Sequence, residues 1–427
     1  MSTGDGFLAR FVPTEPILVD QWRALCAASG RYGNGIMEVT QRGSLQIRGL
    51  SRTSAGALAD TIDDLGLAVQ THPVILTSPL LGVSAGEHLD LRGLVVALRT
   101  ELAANRTASS VGPKVSVIID GGGPIHLDGV SADVRLRSCD GNRMYLSLGG
   151  NAVSSVGLGW VNLPRAIEAV IEVLTAIASR GPHSRARDIA IGAPLKALRA
   201  SLADLLLDAP APPPNVPADP VGRHDLQDGR VACGVELSFG HSDADGLARF
   251  AQTAARCGAD SIRPAPGRAL LAIGLNRLAV NEFVAAADAE GFIVRRDDVR
   301  RYVIACAGAP ACSSATLATR TLAPAIAQAA GPYLDGSLTI HVSGCSKGCA
   351  HPGATGLTLI GPDRIVVRGC ASDPPHGTVS PAKLVAGLRR LGTKREFAAA
   401  GQCSADAIAR IGASGVVEAI GGEPARV

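Results

Sequence analysis

Six prolines fall within Ala209–Val221, APAPPPNVPADPV, close to the midpoint of this 427-residue chain. Proline fixes φ and has no N–H to donate, so neither a regular helix nor a central strand can run through such a stretch. Residues 209–221 read as a semi-rigid linker. The chain is therefore assembled from two halves, and its length calls for more than one hydrophobic core.

The two halves follow one pattern, which suggests an internal repeat. In the first, a helical stretch Val19–Ser29 precedes GIMEVTQRGSLQIRGL, Gly35–Leu50. In the second, a helical stretch Asp243–Cys257 precedes GADSIRPAPGRALLAIGL, Gly258–Leu275. Each reads as helix, strand, Arg-bearing turn and a strand ending in Gly-Leu. Each continues with a second helix, Ser54–Leu65 or Ala279–Glu290, and a short apolar strand, Leu67–Gln70 or Phe292–Arg295. With one preceding strand this is the β-α-β-β-α-β order of a ferredoxin-like unit. The match slips by one residue around Arg42 and Arg268, and two unrelated α+β segments are the alternative.

The rest of each half has α/β character. Strands are expected at Lys114–Asp120 and Arg143–Leu148, with a helix over Leu163–Ser179. After the second repeat they are expected at Arg301–Cys306, Leu338–Val342, Gly356–Ile360 and Arg364–Val367, with helices over Ser313–Ala330, Ser380–Leu391 and Ser404–Gly412. The expected units are 1–75, 76–208, the linker, 222–297 and 298–427, the last ending in an Ala/Gly-rich helical appendage or loosely ordered tail.

Charge narrows the function classes. With 41 basic and 38 acidic side chains the net charge is +3, which is not the footprint of a nucleic-acid binder. Aromatics at 3% leave few platforms for base stacking. No apolar run reaches about 18 residues, so no membrane span is expected. The start, MSTGDGFLARFVPTEP, lacks the basic and apolar regions of a signal peptide, and a cytoplasmic protein is expected. Ten cysteines in such a chain point to thiols or metal ligands rather than a disulfide framework.

Four of them form the strongest chemical signal. YVIACAGAPACSSATLATR places Cys306 and Cys312 six residues apart, and HVSGCSKGCAHPG places Cys345 and Cys349 four apart. Both pairs sit where strands give way to loops, the place where ligands gather in α/β layouts. The small neighbours Ala307, Gly308, Ala309, Ala311, Ser346 and Gly348 let backbone pass close to an inorganic cluster and free N–H groups to bond its sulfides. Four thiolates suit a [4Fe–4S] cluster. A four-cysteine zinc site, which favours shorter spacings, and unconnected buried cysteines are the alternatives. The other six, Cys26, Cys139, Cys233, Cys257, Cys370 and Cys403, show no pairing and read as packing residues.

This spacing resembles the signature of the sulfite and nitrite reductase superfamily. VTQRGSLQIRGL, Val39–Leu50, is similar to that family's T-x-R-Q-x-x-Q motif through Thr40, Arg42 and Gln46. The resemblance spans nearly the whole chain. It implies an α+β, duplicated architecture of two ferredoxin-like half-domains, each followed by an α/β domain, with the cluster in the last. Within the superfamily the chain resembles the precorrin-3B synthase family. Val115–Arg137, VSVIIDGGGPIHLDGVSADVRLR, looks like that family's Asp-Gly-Gly-Gly and Ala-Asp-Val-Arg-Leu-Arg segment. Pro266–Leu270 is similar to its Pro-x-Arg-x-Leu turn, with Gly267 where Trp is usual. The reductases' Lys-x-Lys pair is incomplete, since the stretch reads Pro113-Lys114-Val115-Ser116.

That resemblance implies a monooxygenase of aerobic cobalamin synthesis, acting on precorrin-3A with O2 through a [4Fe–4S] cluster and a non-haem iron. The alternatives are a sirohaem-dependent sulfite or nitrite reductase, in which Cys349 would bridge cluster and sirohaem, and a non-catalytic iron–sulfur carrier. Either tetrapyrrole bears many carboxylates, which guanidinium forks bind bidentately. Arg42, Arg106, Lys114 and Arg268 are the candidates, with Gln46 on the same surface. If the repeats are pseudo-symmetric, Arg42 and Arg268 face one groove. Gly121–Gly123 and Gly149–Gly150 fit no nucleotide-binding fingerprint and read as tight turns, so electrons are expected from a separate reductase or ferredoxin. No catalytic residue is assigned. The iron ligands are not legible, and His341, His351 and His376 of the last unit are left unassigned.

Overall fold

The computed structural model describes residues 1–398 and 403–425. Helices form where apolar residues recur every three or four positions. Val19–Tyr32 buries Val19, Trp22, Leu25, Cys26 and Ser29 along one face. Ala244–Arg256 buries Leu247, Phe250, Ala251 and Ala254, and its first turn is capped by Asp243, which accepts from the Gly246 N–H at 2.6 Å. These two helices pack on each other, one from each repeat.

The repeats exchange edge strands. One antiparallel sheet runs in the order Ser2–Thr3, Gly6–Phe11, Leu45–Leu50, Ile36–Val39 and is closed by His241–Asp243 from the second repeat. The other runs Gly222–Asp225, Val231–Glu236, Ala269–Leu275, Ser261–Ala265 and is closed by Ile17–Leu18 from the first. A single core, with Trp22, Leu25, Leu45 and Ile47 from one side and Phe250, Leu270, Phe283 and Phe292 from the other, lies between the two sheets and their helices. Neither repeat could bury its apolar face alone.

The two α/β units repeat a second design. In one, Val74–Thr77, Ser116–Asp120 and Val134–Asp140 run parallel, and Arg143–Leu148, Val156–Asn162 and Leu206–Leu207 continue antiparallel. In the other, Val303–Ala305, Ile340–Ser343 and Thr355–Ile360 run parallel before Arg364–Gly369, Gly377–Thr378 and Glu423–Pro424.

Several expectations need correction. Leu67–Gln70 and Phe292–Arg295 are not strands: each makes one isolated bridge, Pro13 to Val69 and Glu236 to Ile293. At the first, Pro13 has no N–H with which to extend a ladder. The helix expected from Ser313 begins at Thr319. The preceding turn stays a loop because its backbone is taken up elsewhere: Cys312 N–H donates to Gly308 O, Thr316 N–H to Gly344 O and Ala309 N–H to Leu317 O. The C-terminal segment is neither an appendage nor a loose tail. Val416, Val417 and Ile420 belong to the last unit's core, and Glu423–Pro424 completes its sheet. Residues 399–402 of that segment lie outside the described residues. Among the described residues no helix is long and apolar enough to cross a membrane.

Candidate functional site

The parallel strands Val303–Ala305 and Ile340–Ser343 are neighbours, with Ala305 opposite Val342. Their C-terminal ends deliver the Cys306–Cys312 and Cys345–Cys349 loops side by side. Gly344 N–H donates to Cys306 Sγ at 3.2 Å, already the kind of contact that tunes a ligated thiolate. Thr319 Oγ1, in the first turn of its helix, donates to the Cys306 carbonyl at 2.6 Å, and Ser343 Oγ donates to the Cys345 carbonyl at 2.7 Å. Lys347 Nζ donates to Ser314 Oγ at 2.9 Å and ties the loops together. A Cβ on Gly344 would stand 2.5 Å from the Ala315 Cβ, so only glycine permits this approach.

The four thiols are free and close enough to feel one another. The Cys349 thiol is pushed up by burial first, then by the charges of Cys345, Cys306 and Cys312. A cationic cluster would reverse the mutual repulsion of four thiolates, so the donor set fits an iron–sulfur group. Cys349 is the exposed member of the four.

The first sheet turns a polar row toward these loops. Strand register puts Arg10 opposite Gln46, Gln46 opposite Glu38 and Glu38 opposite His241. The Gln46 amide is oriented with its nitrogen toward Glu38 and its oxygen toward Arg10. Two residues along the same strand, Arg48 is buried and donates to both oxygens of Asp5 at 3.0 Å and to the Ala311 carbonyl at 2.5 Å, beside Cys312. Arg320 pairs with Glu38. Arg10 is lowered by desolvation first and raised by the charges of Glu38 and Cys349.

The two Arg-bearing turns meet, as the repeat suggests: Gly267 N–H donates to Gln41 O at 3.0 Å, and Arg42 bridges Pro266. Their side chains then diverge rather than facing one groove. Arg42 donates to Ser116 Oγ at 2.9 Å and to Ser131 O in the first α/β unit. Arg268, at φ 63°, donates to Ala350 O at 3.1 Å, next to Cys349. Arg106 and Lys114 lie exposed on the first α/β unit, with no side-chain hydrogen bond or ion pair among the described residues. The structure thus joins Arg268 to the cysteine loops, Gln46 to the polar row of the first sheet, Arg42 to the neighbouring unit, and Arg106 and Lys114 to none of these.

Arg268 shares its surroundings with two histidines. His341 is fully buried, and neither ring nitrogen has a partner. Burial first, then His351 and Arg268, pushes its pKa down to about 4, so the ring is neutral near pH 7. The His351 ring centroid lies 6.0 Å away, and the loop at Gly348 packs over His341. A neutral imidazole carries an N–H, and leaving it unmet in the interior costs about 1–3 kcal/mol. That open donor beside the cysteines fits a bound group that the polypeptide does not supply.

Sequence reasoning missed Arg10, Glu38, Arg48 and Arg320, and weighed His341 without assigning it. A signal was present in Leu45–Leu50, where Gln46 and Arg48 alternate with Leu45 and Ile47 in one buried strand: a period-two pattern in which the polar face also meets protein.

The family model of the nitrite/sulfite reductase ferredoxin-like half domain matches residues 3–65. A precorrin-3B synthase of Sinorhizobium sp is 35% identical over 97% of this chain and 91% of the relative. A ferredoxin–nitrite reductase of Synechococcus elongatus is 25% identical over 83% of this chain and 76% of its own. The solved structure of the Mycobacterium tuberculosis NirA protein superposes with a TM-score of 0.76 at 21% identity, over 96% of this chain and 84% of that one.

Proposed function

The chain belongs to the precorrin-3B synthase family, within the sulfite/nitrite reductase fold, and from that premise we propose that this oxidoreductase is an oxygen-dependent hydroxylase of precorrin-3A. The observation that carries the reading is the convergence of Cys306, Cys312, Cys345 and Cys349 beside a face lined by Arg10, Gln46 and Arg268. Those cysteines would hold a [4Fe–4S] cluster, and an iron centre beside it would complete the cofactor set. When bound, these groups supply single electrons and a site for O2.

The polypeptide's part is binding and protection. Arg10 and Arg268 would take carboxylates of the tetrapyrrole, and Arg guanidinium suits this because it forms paired, charge-assisted bonds. Arg48, Asp5, Glu38 and Arg320 fix the sheet against the cysteine loops and keep bulk water from that side. His341, neutral and buried, would hold one N–H toward the bound group. In the overall reaction one atom of O2 is added to the macrocycle and ends as a hydroxyl. The other leaves as water, with two electrons and two protons. The oxygen of a ring acetate adds to the other carbon of the same C=C bond and closes a lactone, the carboxyl proton passing to the new hydroxyl oxygen. The electrons come from a separate donor, a reductase or ferredoxin.

A sirohaem-dependent nitrite or sulfite reductase is the second reading, favoured by the exposed Cys349, which a tetrapyrrole iron could approach. Anaerobic purification, an absorption spectrum and acid–acetone extraction separate the two. Broad iron–sulfur absorption with no extractable tetrapyrrole is expected, followed by one labelled oxygen in the product from precorrin-3A and ¹⁸O2. Stoichiometric sirohaem, or an unlabelled hydroxyl, would sink the leading reading.

A further inference from the structure

The Gly-rich segment Asp120–Asp128, DGGGPIHLD, has no part in the chemistry above. It begins at the end of the strand Ser116–Asp120 opposite to Ser116, where Arg42 binds. Positive φ at Gly122 and Gly123, 81° and 99°, folds it back on itself. As a result one atom each of Asp120, His126 and Asp128 lie within 4.8 Å of one another.

Each donor is prepared in a different way. Asp120 is fully buried. It accepts only backbone N–H groups, from Gly122 at 3.0 Å and Leu127 at 2.5 Å, and has no ion-pair partner among the described residues. Its carboxyl is raised by burial first and further by Asp128, against its two backbone donors and His126. His126 Nε2 lies 2.8 Å from Val216 O; donating there fixes the tautomer whose lone pair sits on Nδ1, where it accepts the Asp128 N–H at 3.2 Å, a bond that a bound ion would replace. This is the arrangement second-shell carbonyls impose on metal-binding histidines. Asp128 is 5% exposed, and its Oδ2 is occupied by Arg137 at 2.9 Å and the Asn215 N–H at 2.9 Å. Its Oδ1 is buried without any partner.

We infer that Asp120, His126 and Asp128 form a divalent-cation site that pins the Pro-rich linker to the first α/β unit. One imidazole with two carboxylates suits a first-row ion such as Mn²⁺, Fe²⁺ or Zn²⁺ better than Ca²⁺, which prefers oxygen alone. The anchoring role follows from what the ligands hold. Asn215 bonds Asp128, Val216 bonds His126, and Arg137 bonds both Asp128 and Pro213 O. Arg135, donating to Leu127 O and Val130 O, closes the other side of the loop. Arg137 pairs with Asp128, whereas Asp120 has no ion pair among the described residues and feels Arg135 only without direct contact, so Asp120 is the carboxylate more open to an ion. The alternative is a metal-free network in which Asp120 keeps its proton.

The test uses the full chain with its iron–sulfur group in place, dialysed against a chelator and titrated with Mn²⁺, whose free form is read by electron paramagnetic resonance. The wild type is expected to bind an equivalent that Asp120→Asn and His126→Gln bind roughly 10–100-fold more weakly. Mn²⁺ should also slow proteolytic cleavage within residues 209–221 in the wild type and in neither variant. Equal Mn²⁺ binding by all three proteins, or none by the wild type, overturns the site. Selective binding without protection of the linker overturns the anchoring role. If one variant fails to fold, the other variant and the wild-type proteolysis with and without Mn²⁺ still decide.

Discussion

The two five-stranded sheets share a strand order and an exchanged edge, yet they present opposite chemistry on their outer faces. Counting back from the Gly-Leu that ends each second strand, Gln46 and Arg48 in one sheet correspond to Leu271 and Ile273 in the other. The faces that meet the shared core are apolar in both, Leu45 and Ile47 against Leu270 and Ala272. The outer face of the first carries Arg10, Glu38, Gln46 and Arg48 against the cysteine-bearing unit. The outer face of the second carries Ala232, Ala265, Ala269, Leu271 and Ile273, with Leu226 beside them, against Leu80 and Ile125 of the first α/β unit. The duplication supplies a scaffold, and the alternate positions of its strands decide which face is a binding wall and which is a packing seam.

The sharpest way to break the comparison is to give the first sheet the second sheet's residue. Arg48→Ile leaves Asp5 and Glu38 buried beside the cysteine loop with a compensating charge removed. Breaking a buried pair from one side costs about 3–5 kcal/mol. A large fall in the urea midpoint together with loss of iron–sulfur absorption is expected. An unchanged midpoint would mean that the polar face contributes little to docking the last unit.

The converse substitution separates packing from chemistry. Leu271→Ala opens a cavity in the seam between the second sheet and the first α/β unit, at a cost of about 2–5 kcal/mol. Iron content per chain should stay that of the wild type, because no cysteine or polar-row residue touches this seam. Loss of iron at native temperature would show that the two outer faces are energetically coupled.

Much of this was legible. Both repeats, their helices and the four cysteines could be read because apolar periodicity and ligand spacing are local signals. The strand exchange could not: Ile17–Leu18 and His241–Asp243 are too short to carry a period, and their partners lie in the other repeat. The same holds for the row Arg10–Gln46–Glu38–His241, which exists only once register is set. Arg106 was attractive for its charge and Lys114 for its place in the incomplete Lys-x-Lys stretch. Arg10 carried no such signal and joins the polar row because its strand lies beside that of Gln46.

Arg10→Ala tests the binding wall with a smaller effect. The Arg10 side chain keeps solvent contact, so stability should change little. Under the proposed function, removing one carboxylate partner should weaken tetrapyrrole binding by roughly tenfold, on the order of one charge-assisted bond. Spectroscopic titration with the tetrapyrrole measures this. Equal affinity in wild type and variant would direct attention to Arg268 instead.

The smallest effect is expected from Glu87, which sits at the seam side of the molecule, away from the cysteines. Burial first pushes its pKa up to about 7; the Gly82 N–H it accepts opposes the rise, and the charges of Asp90 and Asp120 reinforce it. Its other oxygen, Oε1, is buried without a partner. The unfolded chain releases this proton near the ordinary glutamate value, about 4.3. Between those two pH values the folded protein holds more protons than the unfolded one, so stability falls as pH rises, and the loss is complete above about pH 7. Glu87→Gln cannot ionise and should remove this part of the slope. Thermal midpoints of wild type and variant measured from pH 5 to pH 8 should therefore diverge, the variant gaining relative stability toward pH 8, by a margin reduced because Glu87 is half-exposed to solvent. Parallel curves would mean that Glu87 ionises in the folded protein as it does in water, and that the acids around Asp120 are less crowded than their burial implies.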